Sequence, residues 1–121
     1  MKNTILVIED NELNMELVRD LLKIGKYRVL EAVDAETGVH LARKHHPDLI
    51  LMDIALPGMD GLSASRLIKA DDALADIPIV ALTGYAMSGD ENIAIAAGCS
   101  GYLTKPINTR NFLNQIDQYL R

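Results

Sequence analysis

Residues 48–61 read DLILMDIALPGMDG. Leu49 to Met52 form an unbroken apolar run that ends on Asp53, and the chain then passes through Pro57, Gly58 and Gly61. An apolar run without alternation marks a strand covered on both faces, as central strands of parallel sheets are. A carboxylate closing such a strand is uncommon unless other groups are aimed at it. Both the fold and the chemistry turn on what surrounds this strand.

Similar short runs recur on either side: TILVIE (4–9), YRVLEA (27–32), IPIVALT (77–83) and SGYLTK (100–105). The stretches between them have helical spacing. In the first, Leu13, Leu17, Leu21 and Ile24 fall near one face, which is expected to be the buried one, and Gly25 suits the stop. In the second, Ala35, Val39 and Ala42 make a face of small residues, and Pro47 prevents continuation. The third begins near Asp60-Gly61 and carries Leu62, Leu67 and Ile68. The fourth is Ala-rich, from about Ser88 to Ala97, ending at Gly98; the last runs from about Asn108 through Phe112, Leu113, Ile116 and Leu120. The order is β then α, five times, which predicts an α/β fold with a parallel sheet covered on both faces. No linker or internal repeat interrupts it. Residues 1–121 are expected to form one domain, with no second, output domain.

Composition agrees. A chain of 121 residues that is 49% apolar buries a substantial core. A net charge of −5 without a local run of Lys and Arg argues against holding a nucleic-acid backbone. Cys99 is the one cysteine, which excludes an internal disulfide and reads as a semi-buried residue near a helix end. TILVIE is followed at once by acids, unlike a signal peptide, and no apolar run reaches the roughly 20 residues needed to span a bilayer. The expectation is a soluble cytoplasmic protein that does not insert into membranes.

In an open parallel sheet, chemistry gathers beyond the carboxyl ends of the strands. There the first strand delivers Glu9 and Asp10, the third Asp53, the fourth Thr83 and Gly84, and the fifth Lys105 and Pro106. If the first and third strands are neighbours, three carboxylates crowd one pocket. Two of them about 5 Å apart repel by roughly 3 kcal/mol at an effective dielectric of 20. Either one takes a proton or a cation sits among them, and carboxylates with a carbonyl and waters suit Mg²⁺. Each residue has a plainer reading: Asp10, Asn11 or Thr83 as a helix cap, Lys105 as a solvated lysine. Their joint arrival at one edge of one sheet favours a site.

These residues, in this strand context, resemble the receiver domain of bacterial two-component response regulators over the whole chain. The matching elements are Glu9-Asp10, DLILMDIALPGMDG with Asp53, Thr83, and GYLTKP with Lys105-Pro106. IEDNELNMELV (8–18) is most similar to single-domain receivers of the cell-cycle regulator type. The resemblance implies a (βα)5 doubly wound, flavodoxin-like sheet of order 2-1-3-4-5. It makes Asp53 the acceptor of a phosphoryl group from a partner's histidine. It assigns Mg²⁺, with Mn²⁺ as a substitute, to Glu9, Asp10, Asp53 and the backbone carbonyl of Ala55; Glu9 stands where the family more usually has Asp. Lys105 and the Thr83 hydroxyl would stabilise the phosphate. Thr83 and Tyr102 would form the switch, with Gly84 leaving room for the ring and a cis Lys105-Pro106 bond closing the loop. Ala55 and Tyr85 would flank the path of the hydrolysing water, implying slow loss of the phosphate.

The implied partners are a sensor histidine kinase or a histidine phosphotransfer protein, and a downstream protein target. That target would bind the face made by the fourth helix, fifth strand and fifth helix, with the chain a monomer or a phosphorylation-dependent homodimer. The protein would be no enzyme beyond catalysing its own phosphorylation and slow dephosphorylation. Two rivals lack residues they need. A dehalogenase-type phosphohydrolase places a second Asp where Ala55 stands. A flavin carrier needs a phosphate-cradling loop after the first strand, where this chain has Glu-Asp-Asn-Glu. His40, His45 and His46 are expected at the surface or a helix end, and Asp71-Asp72 in a solvated turn.

Overall fold

The computed structural model describes residues 3–53, 61–83, 98–104 and 107–120. In chain order these form β1 (Thr4–Ile8), α1 (Glu12–Ile24), β2 (Arg28–Ala32), α2 (Ala35–His45), β3 (Leu49–Asp53), α3 (Gly61–Ala70), β4 (Ile79–Thr83), β5 (Gly101–Thr104) and α4 (Phe112–Leu120). The expected helix from Ser88 to Ala97 lies outside the described residues, so α4 is the fifth helix of the sequence reading. The strands pair in parallel in the order β2-β1-β3-β4-β5. This is the expected doubly wound sheet.

Strand alternation divides the core into two layers. Ile5 and Val7 of β1, with Leu49, Leu51, Val80 and Leu82, meet α1 and α4 through Val18, Leu22, Phe112 and Ile116. Leu6 and Ile8, with Ile50, Met52 and Ala81, meet α2 and α3 through Ala35, Val39, Ala42, Ala64 and Ile68. All of β3 is buried, as its unbroken apolar run requires, and β2, at the edge, shows Arg28 and Glu31 to solvent.

The capping chemistry is local. Asn11 caps α1 by accepting the Asn14 N–H at 3.0 Å, and Gly25 ends it. Asp34 caps α2 by accepting the Thr37 N–H at 2.7 Å; hydrogen bonding to the Thr37 side chain first, and then to this N–H, holds its carboxyl below the ordinary value of 3.8. His46 ends α2 in the left-handed region, φ 47°, with Nε2 3.0 Å from the Ala73 carbonyl oxygen. Asn108 accepts the Arg110 N–H at 3.1 Å and so opens a turn, and α4 proper starts four residues later than the spacing suggested. Gly38 is a packing requirement: a Cβ there would stand 2.7 Å from Ile8 Cγ1.

One expectation fails. The buried face of α1 is Met15, Val18 and Leu22; Leu13 and Ile24 are exposed at 76% and 70%, and Leu17 also faces solvent. The helix carries two apolar stripes, and the sheet takes the one with the β-branched Val18. Asp71 and Asp72 lie in a turn open to solvent, as expected, and Asp71 also makes contacts there. One oxygen pairs with Arg43 Nε at 3.1 Å and the other accepts the Ala73 N–H at 3.0 Å. Among the described residues, no helix is long and apolar enough to cross a membrane.

Candidate functional site

Three strands end together at the carboxyl edge of the sheet. The β1–β3 register pairs Ile8 with Met52, so Glu9 and Asp53 follow side by side. Glu9 is held in place by its backbone N–H, which donates to the Ala32 carbonyl at 3.0 Å. Its Oε1 accepts the Asn11 N–H at 3.1 Å, tying the acid to the start of α1. Glu9 and Asp53 are buried at 1% and 4% exposure, whereas Asp10 is exposed. One carboxylate oxygen from each of the three lies within 4.8 Å of the others.

This is a set of hard oxygen donors at one point, two drawn into the protein and one open to water. Mutual repulsion at this spacing favours a small divalent cation over an empty cluster. Oxygen donors with an open, hydrated side match what Mg²⁺ accepts. The donor set therefore fits the ion that the sequence reading called for.

Beside the acids, between α1 and β2, runs a cleft of about 420 Å³. Met15 and Val33 contribute apolar surface, and Glu12, Glu16 and Glu31 add further carboxylates. Arg19 spans it, with Nη1 3.2 Å from Glu31 Oε1. The sequence reading missed this rim. Glu12 and Glu16, one helical turn apart just after the acid pair, were an available signal; the Arg19–Glu31 pair, formed across elements, left none.

On the other side of β3, β4 ends at Thr83 and β5 carries Tyr102 as the partner of Ala81, two residues before Thr83. Tyr102 is half-buried against the core layer that contains Met52 and Ala81. Thr83 is placed by its backbone alone. Ala55, Gly84, Tyr85, Lys105 and Pro106 lie outside the described residues. The structure thus brings together Glu9, Asp10 and Asp53, and sets the strand of Thr83 beside that of Tyr102.

Comparison with known proteins agrees with this geometry. Residues 5–117 match the family model of the response regulator receiver domain. The polar-differentiation response regulator DivK of Brucella ovis is 43% identical over 120 residues, covering 99% of this chain and 98% of that protein. The receiver domain of the sensor histidine kinase PA1611 from Pseudomonas aeruginosa, with a magnesium ion coordinated in its active-site cleft, is 34% identical, with a TM-score of 0.91 over 99% of this chain and 98% of that one. The receiver domain of Saccharomyces cerevisiae Ssk1, crystallised with the histidine phosphotransfer protein Ypd1, is 28% identical, with a TM-score of 0.88 over 98% of this chain and 88% of that one.

Proposed function

The chain belongs to the family of response regulator receiver domains, and on that premise we propose that Asp53 is its phosphoryl acceptor in two-component signalling. The observation that carries the reading is the meeting of Glu9, Asp10 and Asp53 within 4.8 Å at the carboxyl edge of the sheet. Asp53 is the nucleophile because it is the acid closing the buried central strand, with Glu9 and Asp10 beside it to share a cation. Its carboxylate oxygen attacks phosphorus as the bond from phosphorus to a partner's imidazole nitrogen breaks. The imidazole leaves with a proton, and an aspartyl phosphate remains.

Glu9, Asp10 and Asp53, with the Ala55 carbonyl, are the residues that would hold Mg²⁺, and Mn²⁺ could take its place. When bound, the ion supplies positive charge that lets a carboxylate and a phosphoryl group approach one another. Lys105 and the Thr83 hydroxyl are assigned the remaining phosphate oxygens. Tyr102 is assigned the coupled packing change, with Gly84 and a cis Lys105-Pro106 bond shaping the loop. Ala55 offers no side chain to guide water, and Tyr85 is assigned the role of shielding the site, so the phosphate should be lost slowly. No reaction on another molecule is assigned.

The donor is a histidine kinase or a histidine phosphotransfer protein. The exposed Leu13 and Leu17 on α1, the helix that follows the acid pair, and Val33 in the cleft beside it offer apolar surface that suits a helical donor. The target is a protein that reads β5, α4 and the residues between β4 and β5, with a homodimer through that face as the variant reading. In this reading the protein works in the cytoplasm.

The test is incubation with acetyl phosphate and Mg²⁺, followed by intact mass. One added phosphoryl group is expected on the wild type, and none on Asp53→Asn or in the presence of a chelator. An unmodified wild type, or a modified Asp53→Asn, would overturn the assignment.

A further inference from the structure

Glu9 reaches the acid cluster with one more rotatable bond than an aspartate has, and it does so while buried at 1% exposure. Among its contacts, two are local. Its backbone N–H donates to the Ala32 carbonyl oxygen at 3.0 Å, and its side-chain Oε1 accepts the Asn11 N–H at 3.1 Å. A hydrogen bond from a backbone N–H to a carboxylate is charge-assisted and directional. It orders side-chain torsions in advance, which lowers the entropy lost when the carboxylate takes a cation.

Asn11 is itself fixed from the helix side. It is extended, with φ −85° and ψ 119°, and lies just before the first turn of α1. Its Oδ1 accepts the Asn14 N–H at 3.0 Å, and its carbonyl oxygen accepts the Met15 N–H at 2.9 Å. Met15 is 6% exposed and belongs to the core layer that holds α1 on the sheet. The Asn11 N–H precedes the helical ladder and is free to point back along the chain to Glu9. The Asn11 side chain is exposed and is not one of the three clustered carboxylates.

Resting on the assignment of Glu9, Asp10 and Asp53 to Mg²⁺ above, we infer that Asn11 is a positioning residue for the cation site: its cap on α1 aims the backbone N–H that orients the Glu9 carboxylate. The side chain acts at one remove, through its own backbone and then through Glu9. Without the cap the first turn frays, and the N–H of residue 11 is present but no longer fixed. Glu9 must then be ordered as the cation binds, and affinity falls. A serine hydroxyl also caps a helix, so Asn11→Ser keeps the N–H aimed.

The experiment titrates the full chain with MgCl₂ and follows backbone amide signals by NMR, at a temperature where urea melts show each variant folded. In wild type the Asn11 amide proton should lie downfield, as a donor to a carboxylate does, and should move as Mg²⁺ is added. In Asn11→Ala the amide of residue 11 should return upfield, and Mg²⁺ should bind about three- to tenfold more weakly. Asn11→Ser should bind within about twofold of wild type. Ile116→Val on α4, a core change of similar cost to folding, should leave Mg²⁺ affinity unchanged. Wild-type affinity in Asn11→Ala, a loss that Asn11→Ser shares in full, or an equal loss in Ile116→Val overturns the role of Asn11. If Asn11→Ala does not fold, wild type and Asn11→Ser decide: a residue 11 amide at ordinary field in both rejects the aimed bond, and a downfield one in both upholds it. A wild type that binds no Mg²⁺ overturns the metal assignment and this inference with it. A wild type that binds Mg²⁺ yet takes up no phosphoryl group from acetyl phosphate overturns the acceptor assignment alone.

Discussion

A single methyl group tests how closely α2 lies on the sheet. Gly38 faces Ile8, the residue before Glu9, with no room for a Cβ against the isoleucine side chain. Gly38→Ala improves helix propensity by about 1 kcal/mol, but forcing a methyl into a filled interior costs about 1–3 kcal/mol, so overpacking should win or break even. A fall in the urea midpoint without a change of slope is expected; a clear rise would show that α2 is free to lift. Asp34 offers a second test, through pH. Its folded carboxyl is held below its ordinary value, first by hydrogen bonding to the Thr37 side chain and then to the Thr37 backbone. The stabilisation it brings is therefore complete above 3.8 and is lost as pH falls through the lower folded value. Asp34→Asn, which can still cap without a charge, should lose less stability than wild type when urea melts at about pH 5 and about pH 3 are compared.

Among the elements, α1 separates what packs from what is shown to solvent. Met15, Val18 and Leu22 are buried, while Leu13 is 76% exposed and Leu17 lies beside it on the open side. Leu22→Ala should cost about 2–5 kcal/mol as a cavity-forming change. Leu13→Ser should change stability by no more than about 0.5 kcal/mol. If the open side receives the donor, Leu13→Ser should nevertheless slow transfer from a phosphorylated donor protein while leaving uptake from acetyl phosphate unchanged. Equal rates from both donors would remove α1 from the docking surface. The same helix shows what the sequence could and could not say. Spacing predicts a helix through Leu13, Leu17, Leu21 and Ile24 that stops at Gly25, but two apolar stripes compete for the core, and periodicity alone does not rank them. β3 posed no such choice, because a strand apolar on both faces has only one place in a sheet, and Asp53 followed from it. The acid cluster was legible because strand ends converge by topology. The buried contacts of Ser65 on α3 with Met52 and Cys99 were not, since they join residues far apart in sequence that no local pattern links.

At the scale of the whole molecule, the acid site sets function against stability. Three carboxylates converge within 4.8 Å, two of them buried, and the repulsion of Asp53 against Glu9 and Asp10 is borne by the folded state because the unfolded chain separates Asp53 from that pair. A cation that binds only the folded state returns stability as its concentration rises, by about 2.7 kcal/mol at a hundredfold excess over Kd. Thermal melts of wild type should therefore move upward by several degrees on adding Mg²⁺ and return with a chelator. Asp10→Asn should do the opposite in each respect. Without the metal it should melt higher than wild type, because one repelling charge is gone. With the metal it should gain little, because a ligand is gone as well. A crossing of the two melting curves as Mg²⁺ is titrated is the expected signature. Parallel curves would mean that the three acids neither strain the fold nor share an ion, and the acceptor chemistry assigned to Asp53 would lose its electrostatic basis.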